Sequence, residues 1–186
     1  MRLQRLATEF TGRVRLVWRP FALRPAPSGG RFQFGGSYVE AAWRRAATLS
    51  AEDGISYRMW DGGPFPRWSM PALEAGVAAQ RQGAEPFSRF HVELFRAFFE
   101  HSRDISDPAV LVQVAQACGL DVARFEADCE SEAVRAATME AFDAAMNESY
   151  VSAVPTVLIG RRRLVGLSPL AEYRGTVAEQ LASEAE

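Results

Sequence analysis

The chain has no lysine: all 21 of its basic residues are arginine, which reads as coding bias more than as function. Its net charge is −2, so nothing argues for a nucleic-acid partner. Only two cysteines, Cys118 and Cys129, and two histidines, His91 and His101, occur in 186 residues. A structural zinc site needs about four such ligands in paired short spacings. That pattern is missing, and no metal is expected. The GxGxxG dinucleotide fingerprint, the GxxxxGK[ST] phosphate loop and the GxSxG nucleophile elbow are all absent, so no cofactor is expected either. No apolar run approaches the roughly 20 residues that span a bilayer. The opening MRLQRLATEF mixes charges with leucines and lacks the unbroken apolar core of a signal peptide. The expected location is the cytoplasm, away from membranes.

With 48% hydrophobic and 24% charged residues, the sequence suits a compact domain with a real core. Residues 2–11 place Leu3, Leu6 and Phe10 at helical spacing. Arg13-Val14-Arg15-Leu16-Val17-Trp18-Arg19 reads as a strand stopped by Pro20, followed by a Pro/Gly-rich loop over 24–36. A helical block comes next. Ser37-Tyr38-Val39-Glu40 fits a capping box for a helix running to about Asp53. Ser69 is the expected cap of a helix ending near Gly83. A further helix carries Phe87, Phe90, Leu94, Phe95, Phe98 and Phe99, most simply as core. Asp107-Pro108 opens a helix that ends at Gly119. Residues 121–129 and 131–148 read as two more. Strands near 156–159 and 163–165 around Gly160-Arg161-Arg162 form a hairpin, and Ser168-Pro169 starts a last helix.

One stretch, VSAVPTVLIG over 151–160, puts Pro155 at the mouth of an apolar strand. Proline gives no N–H to a sheet and fixes φ, so it belongs at strand entries and tight turns. It is either a plain strand-entry proline or a cis-proline lining a thiol-redox or glutathione site.

Three stretches carry a resemblance. VPTVLIG with RRLVGLSPLAEYRGTVAEQL resembles the closing hairpin and helix of the DsbA-like thioredoxin-fold family. VRLVWRPFALRP resembles the second strand of its FrnE-type branch, and FHVELFRAFFEHSRDISDPAVLVQVAQACGLD resembles that branch's inserted helices. The resemblance implies an α/β thioredoxin-like fold: a thioredoxin-like domain from residues 1–36 and 150–186, and an inserted helical domain over 37–149. It implies that Pro155 is the family's cis-proline, with the Val154 backbone facing an extended peptide or thiol substrate in the manner of strand addition.

The family's opening strand and C-x-x-C motif have no counterpart in these residues, because Leu3-Gln4-Arg5-Leu6-Ala7 already matches later turns of the helix that carries the dithiol. In C-x-x-C chemistry a thiolate at a helix N-terminus is the attacking group. No cysteine precedes Cys118, so no catalytic residue is assigned. Cys118 and Cys129 are either buried thiols or a bridge. His91 and His101 are expected to be packed or at the surface. Trp60, Asp61 and Pro64 either border the substrate groove or cover the core. Three functions follow from the resemblance: a protein disulfide oxidoreductase lacking its dithiol, a glutathione-linked isomerase or transferase related to the 2-hydroxychromene-2-carboxylate isomerases, or a non-catalytic peptide-binding module. With the first strand missing, unpaired strand edges make a homodimer the expected assembly.

Overall fold

The computed structural model describes residues 2–27, 29 and 32–184. The chain gathers into two compact units, Met1–Arg19 with Ala145–Glu186, and Pro20–Ala144.

The first unit holds α1 (Arg2–Glu9), the strands β1 (Thr156–Ile159) and β2 (Arg162–Val165), and the helix α8 (Leu170–Ser183). Its core is small. Leu6, Leu164, Tyr173 and Val177 are buried together, flanked by Leu3, Phe10, Val14, Val157, Ile159, Leu170 and Leu181. The spacing of Leu3, Leu6 and Phe10 therefore does what a helical stripe should. Tyr173 is 2% exposed, and its hydroxyl accepts a hydrogen bond from the Ser168 N–H at 3.3 Å. Arg174 grips Glu9 with two hydrogen bonds, at 2.6 and 2.5 Å, tying α8 to α1.

β1 and β2 pair antiparallel, Thr156 opposite Val165 and Ile159 opposite Arg162. The turn is Gly160-Arg161, so β2 starts one residue earlier than its pattern suggested. Gly160 has φ 55°, a conformation that glycine adopts without steric cost. Val157, opposite the buried Leu164, and Ile159 face the core, while Leu158 and Val165 stand on the outer face, 50% and 56% exposed.

Among the described residues these are the only two strands. The strand expected at 14–18 is corrected: the segment belongs to no ladder. It does keep strand-like alternation, with Val14, Leu16 and Trp18 half-buried and Arg13, Arg15, Val17 and Arg19 exposed. The period of two is set by side-chain burial. A strand also needs a hydrogen-bonding neighbour, which a local pattern cannot supply.

The second unit contains α2 (Tyr38–Ser50), α3 (Met70–Gln80), α4 (Ala84–Phe99), α5 (Pro108–Ala117) and α6 (Val122–Glu130); α7 (Glu132–Asn147) lies mostly within it. Ser37 caps α2 by accepting from the Glu40 N–H, and Glu40 reaches back to the Gly36 N–H at 2.7 Å. Asp107 and Asp121 cap α5 and α6 by accepting from the Ala109 and Arg124 N–H groups. Ser69 is different. Its side chain makes no cap bond; its hydroxyl accepts from the Arg24 N–H at 3.1 Å and its own N–H donates to the Arg24 carbonyl at 2.8 Å. A cap motif has become a clasp between residues far apart in sequence.

Small residues let α3 sit centrally: Ala75, Ala78 and Ala79 are fully buried, and α3 packs on α4, α5 and α6. Trp43 is the hub of an aromatic cluster, its ring 5.0 Å from Phe34, 4.8 Å from Phe99 and 5.1 Å from Phe98. Such pairs add about 0.5–1.5 kcal/mol each beyond area burial.

Candidate functional site

The candidate site is the corner where the chain enters β1. Val151 is held by its N–H donating to the Ala145 carbonyl at 2.8 Å. The Thr156 hydroxyl donates to the Ala153 carbonyl at 2.6 Å, which fixes the turn from the other side. Between these anchors Ser152, Ala153, Val154 and Pro155 are all exposed. The Val154–Pro155 peptide bond is cis. Val154 is 42% exposed, and neither its N–H nor its C=O has a hydrogen-bond partner among the described residues.

The hairpin register extends this corner into an edge. The Gly166 N–H donates to the Pro155 carbonyl at 2.8 Å. In an antiparallel ladder, hydrogen-bonded pairs alternate with non-bonded ones. Pro155 opposite Gly166 is a bonded position, so Val157 with Leu164 and Ile159 with Arg162 are bonded pairs. The N–H and C=O groups of Thr156 and Leu158 then point away from β2, to the side of β1 that has no strand among the described residues. Sequence reading named Val154 and Pro155 and missed these two residues. No side-chain motif marks them; the signal lay in the register of the hairpin.

The remaining candidates lie in the helical unit. Cys118 is buried, Cys129 is half-buried, and both thiols are free, so the bridge is not formed. Burial pushes the Cys118 thiol up, with Glu93 adding to it and Arg89 opposing. Burial, then the nearby carboxylates of Glu74, Asp128, Glu126 and Glu130, push Cys129 up to about 12. Attack requires the thiolate, which both environments disfavour. His91 packs between Phe87 and Phe95, at 5.2 and 4.8 Å between ring centres, and burial lowers its pKa to about 4. It is a neutral core residue at pH 7. His101 is exposed.

Trp60 faces the aromatic cluster, 4.9 Å from Phe65 and 5.6 Å from Phe98, with its indole N–H donating to the Gly63 carbonyl at 2.9 Å. It covers core. Asp61 accepts from Arg58, and Pro64 is exposed. Among the described residues no helix is long and apolar enough to cross a membrane.

Known proteins match this architecture. The chain is 26% identical to the uncharacterized protein YwbO of Bacillus subtilis over 170 residues, covering 90% of this chain and 82% of that one. Its fold superposes on the probable DsbA oxidoreductase of Streptomyces coelicolor with a TM-score of 0.78 at 20% identity, over 97% of this chain and 82% of the other. A 2-hydroxychromene-2-carboxylate isomerase matches with a TM-score of 0.59 at 22% identity, over 80% and 68% of the two chains. The model of the DSBA-like thioredoxin domain matches residues 1–178, nearly the whole sequence. With its two cysteines far apart and no C-x-x-C pair among its residues, the chain belongs to the DSBA-like thioredoxin domain family.

Proposed function

We propose that this protein is a disulfide-oxidoreductase-type scaffold whose β1 entry holds an extended peptide or thiol substrate, and that these 186 residues grip the substrate without supplying the exchanging thiol. The observation that carries the reading is the unpartnered, exposed peptide unit of Val154. Unpaired backbone N–H and C=O groups at the end of a strand are the atoms with which an extended chain adds to a sheet. Pro155 has no N–H, so the row of donors begins with Val154 and resumes at Thr156 and Leu158. The exchanging thiol is the part the residues do not offer. Cys118 and Cys129 are held as thiols by burial, and both belong to the helical unit.

Two measurements test this. An extended, cysteine-free peptide should slow hydrogen exchange at Val154, Thr156 and Leu158, and should leave the helical unit unchanged. With a thiol reductant, the chain should reduce insulin no faster than the uncatalysed reaction. Turnover that disappears on Cys118→Ser or Cys129→Ser would place the active site elsewhere and overturn the reading. Protection by glutathione, and not by peptide, would transfer the site to the glutathione-linked alternative.

A further inference from the structure

Two non-glycine residues among those described have a left-handed backbone, Ser102 at φ 48° and Tyr150 at φ 50°. For a residue with a Cβ this conformation is sterically costly and persists only where the surroundings hold it. Ser102 is held from inside: it is 6% exposed, and its hydroxyl accepts from the Asp61 N–H at 3.3 Å. Tyr150 has no such packing among the described residues, where it is 70% exposed. It lies in the sheet unit, between the end of α7 at Asn147 and the corner that carries Val154.

A hydrogen bond on each flank holds it. The Ser149 carbonyl and the Tyr150 N–H share one rigid peptide plane, and the Tyr150 carbonyl and the Val151 N–H share the next. The backbone angles of Tyr150 are the rotation between those two planes. Arg163 donates to the Ser149 carbonyl, and the Val151 N–H donates to the Ala145 carbonyl at 2.8 Å. Each plane is therefore anchored once, the first by a side chain of β2 and the second by the last turns of α7. Arg163 stands opposite Leu158 in the hairpin register. It makes no ion pair among the described residues, although Glu148 adjoins its partner. Elsewhere arginines are paired with carboxylates, as Arg44 with Glu40 and Arg81 with Asp128. Here the guanidinium is directed at one backbone carbonyl.

We infer that Arg163 is the positioning residue of the Val154 grip: from β2 it locks the left-handed turn at Tyr150, and that turn sets the direction in which the chain reaches Val154. The inference rests on the reading of Val154 as a backbone grip and adds the side chain that holds the grip ready. Beyond Tyr150 only Val151, Ser152 and Ala153 precede Val154, and the Ala153 carbonyl is fixed by the Thr156 hydroxyl at 2.6 Å. A rotation at Tyr150 is thus passed on to the Val154 peptide unit. Without the guanidinium, Tyr150 relaxes toward negative φ, and the binding-competent arrangement is populated only in part. Affinity falls in proportion to that population. Glycine at position 150 needs the lock less, because it takes positive φ about as readily as negative.

Hydrogen exchange of the free protein is the first test. In Arg163→Met the Val151 amide should exchange about fivefold faster, the shift expected when one hydrogen bond of ordinary net strength is lost. The ladder amides of Val157 and Leu164 should be unchanged. If all three speed up together, Arg163 supports the sheet unit as a whole and the positioning role is overturned. The second test is the affinity for a labelled, cysteine-free peptide of alternating valine and threonine. Arg163→Met should weaken binding about fivefold, and Arg163→Lys, which keeps a charged donor, should restore most of it. In a Tyr150→Gly background the same Arg163→Met change should cost less than about twofold. An equal loss in both backgrounds would mean that Arg163 acts on the peptide through its charge and would overturn the inference. Wild-type affinity in Arg163→Met would overturn it too, while leaving the grip standing. Failure of the peptide to protect Val154 in the wild-type protein would overturn the grip itself, and the inference with it.

Discussion

The helical unit and the sheet unit solve the same folding problem to different degrees. In the helical unit, helix starts are capped by Ser37, Asp107 and Asp121, and the backbone around Asp121 is bonded in both directions by the Gln82 side-chain amide, at 3.0 and 2.8 Å. Phe90, Ala75, Ala78, Ala79, Ala115 and Val134 have no exposed surface. The sheet unit buries a cluster of four apolar residues around one hairpin and leaves Val17, Tyr150, Val154, Leu158, Val165 and Leu167 substantially exposed. Among the described residues, the backbone row through Val154, Thr156 and Leu158 has no partner on its outer side. The helical unit holds the better-packed core, and the site proposed above lies in the sheet unit.

The comparison breaks most visibly in the helical core. Phe90 is 0% exposed and its ring lies 5.4 Å from Phe125. Phe90→Ala removes a large side chain from a site closed on every side. It should cost about 3–5 kcal/mol in urea unfolding, a large part of a typical domain's stability. A loss below about 1 kcal/mol would mean that the helices collapse readily into the gap and that the unit is less finished than its burial suggests.

Acid provides the next largest effect. Burial holds His91 at about pKa 4 in the folded protein, against an ordinary value near 6.5. Between those pH values the unfolded chain binds a proton that the folded chain refuses. Stability from this group is therefore complete above pH 6.5 and declines as pH falls toward 4, by about 3 kcal/mol in all. His91→Phe keeps an aromatic ring between Phe87 and Phe95 and should remove that part of the slope. If the slope of unfolding free energy between pH 6.5 and 4 is the same in both proteins, His91 is not the group that titrates. The sheet unit has no comparable buried titrating group among those with a resolved shift. Its Glu9 carboxyl is lowered by the hydrogen bonds from Arg174, but at the exposed surface.

How much of this was legible follows the same division. Local signals were accurate where local physics decides. The capping box at Ser37, the Asp107-Pro108 start and the apolar stripe of α1 all became the elements they announced. The cis bond at Val154–Pro155 and the helical insertion came from family resemblance, which carries long-range information that no window of residues contains. Long-range partners were the blind spot. Arg13–Arg19 has a strand's alternation without a strand's neighbour, and Ser69 has a cap's sequence but bonds Arg24 instead. The Pro/Gly-rich loop hid Phe32 and Phe34, whose rings pack on Phe65 at 4.8 and 5.9 Å. At the candidate site the Val154 backbone and Pro155 could be named from the resemblance, whereas the backbone row through Thr156 and Leu158 needed the register.

The smallest expected effect sharpens the contrast within the hairpin itself. Leu158 and Leu164 are the same residue type on adjacent strands, but Leu158 is 50% exposed on the outer face and Leu164 is 7% exposed on the core face. Leu158→Ala should change stability by less than about 1 kcal/mol, because much of the removed surface is already in contact with water. Leu164→Ala is the control for the buried face and should cost distinctly more. Urea unfolding of both variants at several protein concentrations reads the difference. A Leu158→Ala cost equal to that of Leu164→Ala would mean that the outer face is covered in solution. If that cost then vanished on dilution, the cover would be a second copy of the chain, and the exposed face of β1 would be an interface.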